Sequence, residues 1–142
     1  MTLSALRPRA ELELDRLALD PYCKLYLPFW KLDGNSFADH SAYGHLCTNY
    51  GSFWTPQCRS FDGVDDYVEV PDSPSIRSWP DGITVETWAK SNTENWNTYA
   101  MLVSKRASFI LYPYINTKTL YWYIYDTGWR DVAYAIPEDI RN

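Results

Sequence analysis

The sequence predicts an all-β protein, an antiparallel β-sandwich that carries a short N-terminal α-helix. Segments with strand-like composition recur along the chain at intervals of roughly ten to eighteen residues, which is typical of a sandwich. Asp, Gly and Pro residues that favour turns separate these segments. In residues 83–90, ITVETWAK, side chains alternate strictly, so that Ile83, Val85 and Thr87 share one face of a predicted half-buried strand.

The N-terminal residues 1–21 differ from the rest of the chain and predict a helical arm. Residues 9–19 contain neither Gly nor a β-branched side chain, and Leu14 and Leu17 lie on one helical face. Pro21 ends the pattern because it disfavours helix at the residue before it. A helix of this length is marginal alone, so we expect it to dock either on its own β domain or on a neighbouring subunit.

The remaining residues, 22–142, are predicted to form one β domain. Polar turns interrupt it at residues 33–35 and 39–44, and residues 133–142 contain Pro137, so they add one short strand at most. The predicted strands are residues 25–27, 46–50, 67–70, 84–90, 99–104, 109–114 and 120–125.

A specific run of residues connects this chain to a known family. Residues 61–75, FDGVDDYVEVPDSPS, place a polar turn before a short strand that Pro71 and Pro74 close. With ITVETWAK, this run resembles the laminin-G-like branch of the concanavalin A-like lectin/glucanase superfamily, and the resemblance covers roughly residues 25–130. The segment ADHSAYGH is similar to the loop D-x-S-x-x-G of that family. The resemblance implies a jelly-roll sandwich and says little about the ligand, since this fold hosts many functions.

The resemblance also implies several strands after Trp129, including one that returns beside the first strand. Residues 130–142 are too few to supply them, so we expect a sandwich shortened at its C-terminal end, a longer parent protein, or strands from a neighbouring chain. Proteins normally cover or pair open sheet edges, and a strand added from another chain does so. This predicts a homo-oligomer or other assembly subunits as partners.

Composition and charge narrow the possible partners and locations. The net charge of −5, from 13 Lys and Arg against 18 Asp and Glu, argues against nucleic acid as a ligand. No apolar run approaches the ~20 residues of a membrane span, and the N-terminus lacks the apolar core of a secretory signal. We therefore expect a protein that is cytoplasmic at synthesis and belongs to a virion or extracellular assembly.

Three cysteines, an odd number, leave the redox state open. Cys47 and Cys58 flank a segment that can form a hairpin, so a disulfide between them is one alternative and free thiols are the other. Neither a Cys-x-x-Cys motif nor a paired His spacing is present, so we do not predict a zinc site.

The sequence predicts no catalytic site. Glucanases of the resembling superfamily carry a Glu-x-Asp-x-x-Glu run, and retaining hydrolysis needs two carboxylates about 5 Å apart. This chain lacks such a run, and Glu69 and Glu86 are single carboxylates on predicted strands. With His40 and His45 as the only histidines, no Ser/His/Asp set suggests itself, and we predict that the protein is not an enzyme.

Calcium is the one cofactor that the sequence suggests. Asp39, Asp62, Asp65 and Asp66 lie in predicted loops, and hard cations take carboxylate and carbonyl oxygens as ligands. The resemblance implies the same, because similar loops carry calcium in some laminin-G-like domains. The alternative is that each carboxylate accepts hydrogen bonds from the backbone of its own turn.

The best candidate for a binding surface is the aromatic strand at residues 119–125, TLYWYIY. Because side chains alternate across a strand, Tyr121, Tyr123 and Tyr125 share one face, whereas Trp122 lies on the other. The tyrosine face either contacts a glycan or protein ligand, or is covered by another part of the chain. Trp88 belongs to the motif strand, and we expect it to be structural.

Two function classes follow. The first is a non-catalytic structural subunit of a virion or extracellular assembly, favoured by the shortened sandwich and the free N-terminal helix. The alternative is a carbohydrate- or protein-recognition module that binds through a concave aromatic face or its loops, favoured by the lectin-like resemblance and by the seven Trp and twelve Tyr.

Overall fold

The structure, a computed structural model, describes residues 20–30, 36–93, 96–97 and 100–136. Within these residues it contains nine β-strands, all paired in antiparallel ladders, and one turn of 3₁₀ helix. The predicted all-β, antiparallel class is therefore confirmed, whereas the predicted helix at residues 9–19 lies outside the described residues. The described part of the chain has no helix with the length and hydropathy of a membrane span.

The chain divides into two compact units, Met1–Ile83 and Thr84–Asn142. The first unit contains a three-stranded sheet of order β1-β2-β5 and a separate hairpin, β3-β4. Its elements are β1 (Ser36–Ala38), β2 (Leu46–Tyr50), β3 (Phe53–Trp54), β4 (Arg59–Ser60), β5 (Tyr67–Glu69) and the 3₁₀ turn Pro74–Ile76. The strands predicted at residues 46–50 and 67–70 are present, the second one residue shorter.

A close approach of two loops explains the glycine that follows β2. Gly51 has φ +81°, a conformation that side chains other than glycine's rarely adopt. The carboxylate of Asp66 occupies the space that a Cβ at this position would fill. Beside it the rings of Tyr50 and Tyr67 stack with their centroids 4.5 Å apart, as expected for directly opposed residues of β2 and β5. A larger residue at position 51 would displace the Asp66 carboxylate.

The second unit contains one four-stranded meander. Its strands are β6 (Val103–Lys105), β7 (Phe109–Pro113), β8 (Thr119–Tyr125) and β9 (Trp129–Ala135), in sheet order β6-β7-β8-β9. Ala107 and Asn116 adopt positive φ in the first two connections, and a short polar side chain such as that of Asn tolerates this conformation. Strands β7 and β8 match the predicted segments 109–114 and 120–125. β9 was not predicted, since the one short strand expected near this end was assigned to residues 133–142, which β9 shares only at 133–135.

Two predicted strands are wrong, and a third, predicted at residues 99–104, shares only residues 103–104 with β6. Residues 25–27 and 84–90 have no regular secondary structure. In the second segment Val85 is half-buried and Glu86 is exposed, so the alternation in the sequence appears as an alternation in burial at these positions. From residue 86 to residue 90 every residue is exposed, and the alternation in burial stops. Trp88, which we expected to be structural, is 98% exposed. Alternation of apolar and polar residues with a period of two indicates that the two sides of a segment differ in polarity. A strand also needs a neighbouring backbone with which to form a hydrogen-bonded ladder.

The cysteines are free thiols. Cys47 is buried in β2, Cys58 is exposed beside β4, and Cys23 is half-buried. The hairpin expected between Cys47 and Cys58 does form, as β3-β4, but it leaves one thiol in the interior and the other on the surface. Burial raises the pKa of the Cys47 thiol to about 11, which makes it unreactive at neutral pH.

Candidate functional site

The most extensive candidate site is an aromatic surface on one face of the four-stranded sheet. The strand register places the tyrosines of β7 and β8 directly opposite one another, with Tyr112 facing Tyr121, and it places Trp129 of β9 opposite Tyr125. Directly opposed residues point to the same face of a sheet. We call this set of side chains the aromatic face; its members are Tyr112, Tyr114, Tyr121, Tyr123, Tyr125 and Trp129.

The rings of the aromatic face contact one another in an unbroken series. Tyr121 and Tyr123 stack at 5.6 Å between centroids, and Tyr112 stacks on both at 6.1 and 5.8 Å, with interplanar angles of 17–24°. Trp129 contacts Tyr123 and Tyr125 edge-on, at 6.4 and 5.3 Å. The central tyrosines therefore cover each other's ring faces, and each loses rotamer freedom in doing so.

Exposure is greatest at the two ends of the aromatic face. Tyr114 is 44% exposed, Tyr125 is 42% and Trp129 is 48%, whereas the three central tyrosines are half-buried. Burial, together with a hydrogen bond to the Tyr112 side chain, raises the pKa of Tyr123 to about 12. The Tyr123 hydroxyl is thus neutral at physiological pH, and a neutral phenol both donates and accepts hydrogen bonds.

On the opposite face of the same sheet the residues of β7 and β8 are apolar, and those of β7 are the most enclosed. Trp122 stacks on Phe109 with their centroids 5.4 Å apart. Phe109 is 7% exposed, and Pro113 is fully buried. Side-chain alternation along β8 therefore divides the strand into a packing row and a tyrosine row, as the sequence indicated.

A second candidate site lies in the first unit, in the loop between β1 and β2. Asp39 is 3% exposed, and both its carboxylate oxygens are occupied. Oδ1 accepts hydrogen bonds from the backbone N–H of Tyr26 (2.9 Å) and of Ser41 (2.6 Å). Oδ2 accepts from the Ser41 hydroxyl (2.8 Å), the His45 N–H (3.0 Å) and His45 Nδ1 (2.6 Å). A carboxylate offers about four lone-pair sites, so these five contacts leave no room for a metal ion.

Asp39 is ionised in this environment. Burial acts to raise its pKa, but the hydrogen bonds donated by Tyr26, Ser41 and His45 outweigh burial and hold the pKa below its usual value. The loop closes through a backbone hydrogen bond from Asp39 N–H to the His45 carbonyl (2.8 Å). Gly44, at φ +58°, makes the turn just before His45.

His45 connects this loop to the 3₁₀ turn. Its Nε2 lies 2.8 Å from the Ser73 hydroxyl and 2.7 Å from the Ser75 hydroxyl, and the two hydroxyls lie 2.7 Å from each other. The ring of Tyr43 stacks on His45 at 6.0 Å. These side chains, with Pro74, line an open depression of about 500 Å³.

The order Asp39–His45–Ser is that of a catalytic triad, with hydrogen-bond distances a triad would use. Each hydroxyl instead contacts both His45 and the other hydroxyl. The two contacts of His45 Nε2 join the 39–45 loop to the 73–75 turn, so they fasten these two segments together.

The third candidate is an acidic cluster between β4 and β5. Asp62, Asp65 and Asp66 each place a carboxylate oxygen within 4.8 Å of the others. The loop also uses these groups itself, because Asp62 Oδ1 accepts from the N–H of Val64 (2.8 Å) and Asp66 Oδ2 accepts from the N–H of Asp62 (2.8 Å). Of the four aspartates predicted to bind calcium, three therefore come together, and Asp39 belongs to the separate loop site.

Sequence reasoning identified half of the aromatic face and missed the rest. Tyr121, Tyr123 and Tyr125 lie on one face as predicted, but Tyr112, Tyr114 and Trp129 were not assigned to it. Tyr112 and Tyr114 alternate with Leu111 and Pro113, so their side is visible in the sequence once the register to β8 is known. In the loop site, the D-x-S-x-x-G segment with Asp39 and Ser41 was visible in the sequence. The contacts of His45 with Ser73 and Ser75 had no sequence signal, since these serines lie 28 and 30 residues further along the chain.

Comparisons with known proteins identified no relative of this chain. No family model matches the chain, and neither a curated protein nor a solved structure matches it.

Proposed function

We propose that this protein is a non-catalytic recognition module that binds a protein partner through the aromatic face. The observation that carries the proposal is the unbroken series of six aromatic rings on one side of a sheet. Tyr and Trp are enriched at protein interfaces because they offer large contact areas at low cost in conformational entropy. Mutual stacking removes part of that cost before a partner arrives.

Ring geometry favours a protein partner over a glycan. A sugar stacks on an open ring face, but Tyr112, Tyr121 and Tyr123 turn their faces towards each other. What remains accessible is a strip of ring edges and hydroxyls, which suits a polypeptide surface with mixed polar and apolar groups. Asp131, opposite Tyr123 in the register, is the one charged residue of β7, β8 and β9 on this side, and interface cores are depleted in charge.

The test compares variants of the two exposed tyrosines with a matched control. The double variant Tyr114→Ala and Tyr125→Ala removes rings at both ends of the aromatic face. Trp88→Ala removes a 98% exposed ring from the same unit, outside the sheet. Labelled wild-type protein and both variants are applied to a protein microarray and to a glycan array, and circular dichroism confirms that each is folded.

We expect proteins on the microarray that wild type and Trp88→Ala bind and that the double variant loses by at least tenfold. Tyr123→Phe keeps the ring and removes its hydroxyl, so a smaller loss there would assign part of the affinity to the hydrogen bond. Binding confined to glycans, or protein binding that the double variant retains in full, would overturn the proposal.

A second candidate function is a structural subunit of a virion or extracellular assembly. One observation favours it: β9 is seven residues long, and each of those residues is exposed. Long exposed edge strands are templates for strand addition. We further propose that the antiparallel sheets belong to a concanavalin A-like sandwich; the strand order and the laminin-G-like sequence motif support this arrangement, and a crystal structure tests it.

The proposal includes the absence of catalysis. Because Ser73 and Ser75 share His45 Nε2, neither hydroxyl is the sole partner of a general base. A fluorophosphonate probe, which modifies activated serines, is expected to leave the protein unlabelled. Stoichiometric labelling that His45→Ala abolishes would show instead that the loop site is an active site.

A further inference from the structure

The free edge of the four-stranded sheet has features of a specific self-association site. Among the described residues, β9 forms a ladder with β8 alone, and all seven of its residues are exposed. Its sequence, WRDVAYA, contains no proline and carries one positive and one negative side chain. Edge strands that avoid association are usually short, interrupted by proline or rich in lysine, and β9 is none of these.

Two flanking hydrogen bonds determine which backbone groups of β9 point outward. Asp126 donates its N–H to the Gly128 carbonyl (3.2 Å), and Ile136 donates its N–H to the Lys118 carbonyl (2.6 Å). Positions 128 and 136 therefore direct their polar groups towards β8, and in an antiparallel ladder every second residue does the same. The odd-numbered residues direct theirs to the open edge; they are Trp129, Asp131, Ala133 and Ala135.

We propose that a second copy of this chain adds its own β9 to this edge, antiparallel and centred on Val132. In this register Trp129 is opposite Ala135 of the second copy, and Asp131 is opposite Ala133. All four outward-facing residues then meet their counterparts as hydrogen-bonded pairs, and each pair exchanges two bonds, about eight in total. A two-fold axis normal to the sheet relates the copies and joins their sheets into one.

Side-chain sizes on the aromatic face agree with this register. Each large residue meets a small one, because Trp129 lies over Ala135 and Asp131 lies beside Ala133. The two Asp131 carboxylates are diagonal rather than opposed. A register centred on Asp131 would set these two like charges directly opposite each other, which destabilises a strand pair, and would leave Ala135 unpaired.

The other face of the strand is also complementary to itself. Arg130 of each copy lies opposite Tyr134 of the other, where a guanidinium can contact the face of a ring. Val132 meets its own counterpart in a close, non-hydrogen-bonded pair, and β-branched pairs stabilise such positions. At present Val132 is 68% exposed and Tyr134 is 60% exposed, so the pairing would remove both from water.

This pairing deepens the assembly role proposed above, and it bears on recognition as well. Because the two-fold axis is normal to the sheet, the aromatic faces of the two copies lie on the same side. A dimer would thus present two aromatic faces in one surface. Two linked sites raise the apparent affinity for a repetitive or dimeric partner without any new contact.

Cysteine cross-linking tests the register. In a Cys23→Ser and Cys58→Ser background, Val132→Cys places two thiols at a non-hydrogen-bonded pair with Cα atoms about 4.5 Å apart, within the range a disulfide needs. Tyr134→Cys is the matched control, since it lies on the same strand and face but meets Arg130, and its own counterpart is about 13 Å away along the strand. Mild oxidation is expected to convert most of the first variant, and little of the second, to a covalent dimer.

Proline scanning with light scattering tests the edge itself. The N–H of Ala133 points outward, so Ala133→Pro should leave the β8–β9 ladder intact and shift the mass from twice 16.6 kDa to 16.6 kDa. A wild-type protein that stays at 16.6 kDa across a concentration series, or equal cross-linking at positions 132 and 134, would overturn the pairing. Tyr114 lies away from β9, so the Tyr114→Ala variant should still form the dimer. Loss of partner binding in a variant that still dimerises would therefore concern the recognition proposal alone, and the two proposals can fail separately.

Discussion

The buried carboxylate of Asp39 provides the sharpest test of how the first unit is held together. Its Oδ2 accepts three hydrogen bonds, from the Ser41 hydroxyl, the His45 N–H and His45 Nδ1. Asp39→Asn keeps the shape of the side chain but sets an amide NH₂ against these three donors. The hydroxyl can rotate and the imidazole can change tautomer, so two of the contacts can be rebuilt as weaker neutral hydrogen bonds.

The backbone N–H of His45 cannot be reversed, and it is left without an acceptor in a part-buried position. An unsatisfied donor costs roughly 1–3 kcal/mol, and exchanging charge-assisted for neutral hydrogen bonds costs about 1 kcal/mol more. We therefore expect Asp39→Asn to lower the free energy of unfolding by about 3 kcal/mol and the unfolding temperature by roughly 10 °C. Urea denaturation and calorimetry measure the two quantities.

The effect of this substitution should depend on pH in a defined direction. The folded-state pKa of Asp39 lies below its usual value of 3.8, so the ionised carboxylate stabilises the fold fully above that value. This stabilisation is lost as the pH falls through the folded-state pKa. The difference between wild type and Asp39→Asn should therefore be constant near neutral pH and shrink below about pH 4.

Asp126→Asn is the matched control, since Asp126 accepts hydrogen bonds from Gly128 N–H (3.2 Å) and Arg130 Nε (2.8 Å) in an exposed turn. Solvent replaces such contacts, so its effect should be much smaller. If Asp39→Asn unfolded at the same denaturant concentration as wild type, the carboxylate would not organise this loop and the reasoning would be refuted.

Three further predictions concern other parts of the molecule. Trp122→Ala should lower the free energy of unfolding by roughly 3 kcal/mol in denaturant titrations, because Trp122 stacks on Phe109; an unchanged midpoint would mean that the two faces of β8 are assigned the wrong way round. Ellman's reagent at pH 8 should modify Cys58 rapidly and Cys47 only on unfolding, and equal rates would contradict the burial of β2. Calcium should raise the unfolding temperature of wild type but not of Asp65→Asn. If calcium did not change the unfolding temperature of wild type, the acidic cluster would not bind calcium and its carboxylates would only hold the loop in shape.

Local patterns in the sequence were sufficient for the fold class and for much of β2, β5, β7 and β8. Each of these strands combines apolar or aromatic residues with turn residues at its ends, and both signals act within a few positions. The same reasoning separated Trp122 from the tyrosines of β8, because alternation across a strand follows from backbone geometry alone.

Pattern alone failed where a strand depends on its neighbour. Residues 84–90 alternate as regularly as any strand in the chain, yet they form no ladder, because a ladder requires a second backbone at the correct distance and register. Most of β9 was missed for the converse reason, because WRDVAYA has weak alternation, but the adjacent β8 offers seven opposing residues to pair with.

The sequence by itself determined that this protein is an antiparallel β protein with a tyrosine row on one strand, since those properties depend on residues close together in the chain. Only the tertiary structure decided that three more aromatic residues join the row, that the Asp39 carboxylate accepts hydrogen bonds from Tyr26, Ser41 and His45 instead of binding a metal ion, and that the thiols of Cys47 and Cys58 stay apart. Each of these depends on contacts between residues far apart in sequence, which strand register and loop closure bring together.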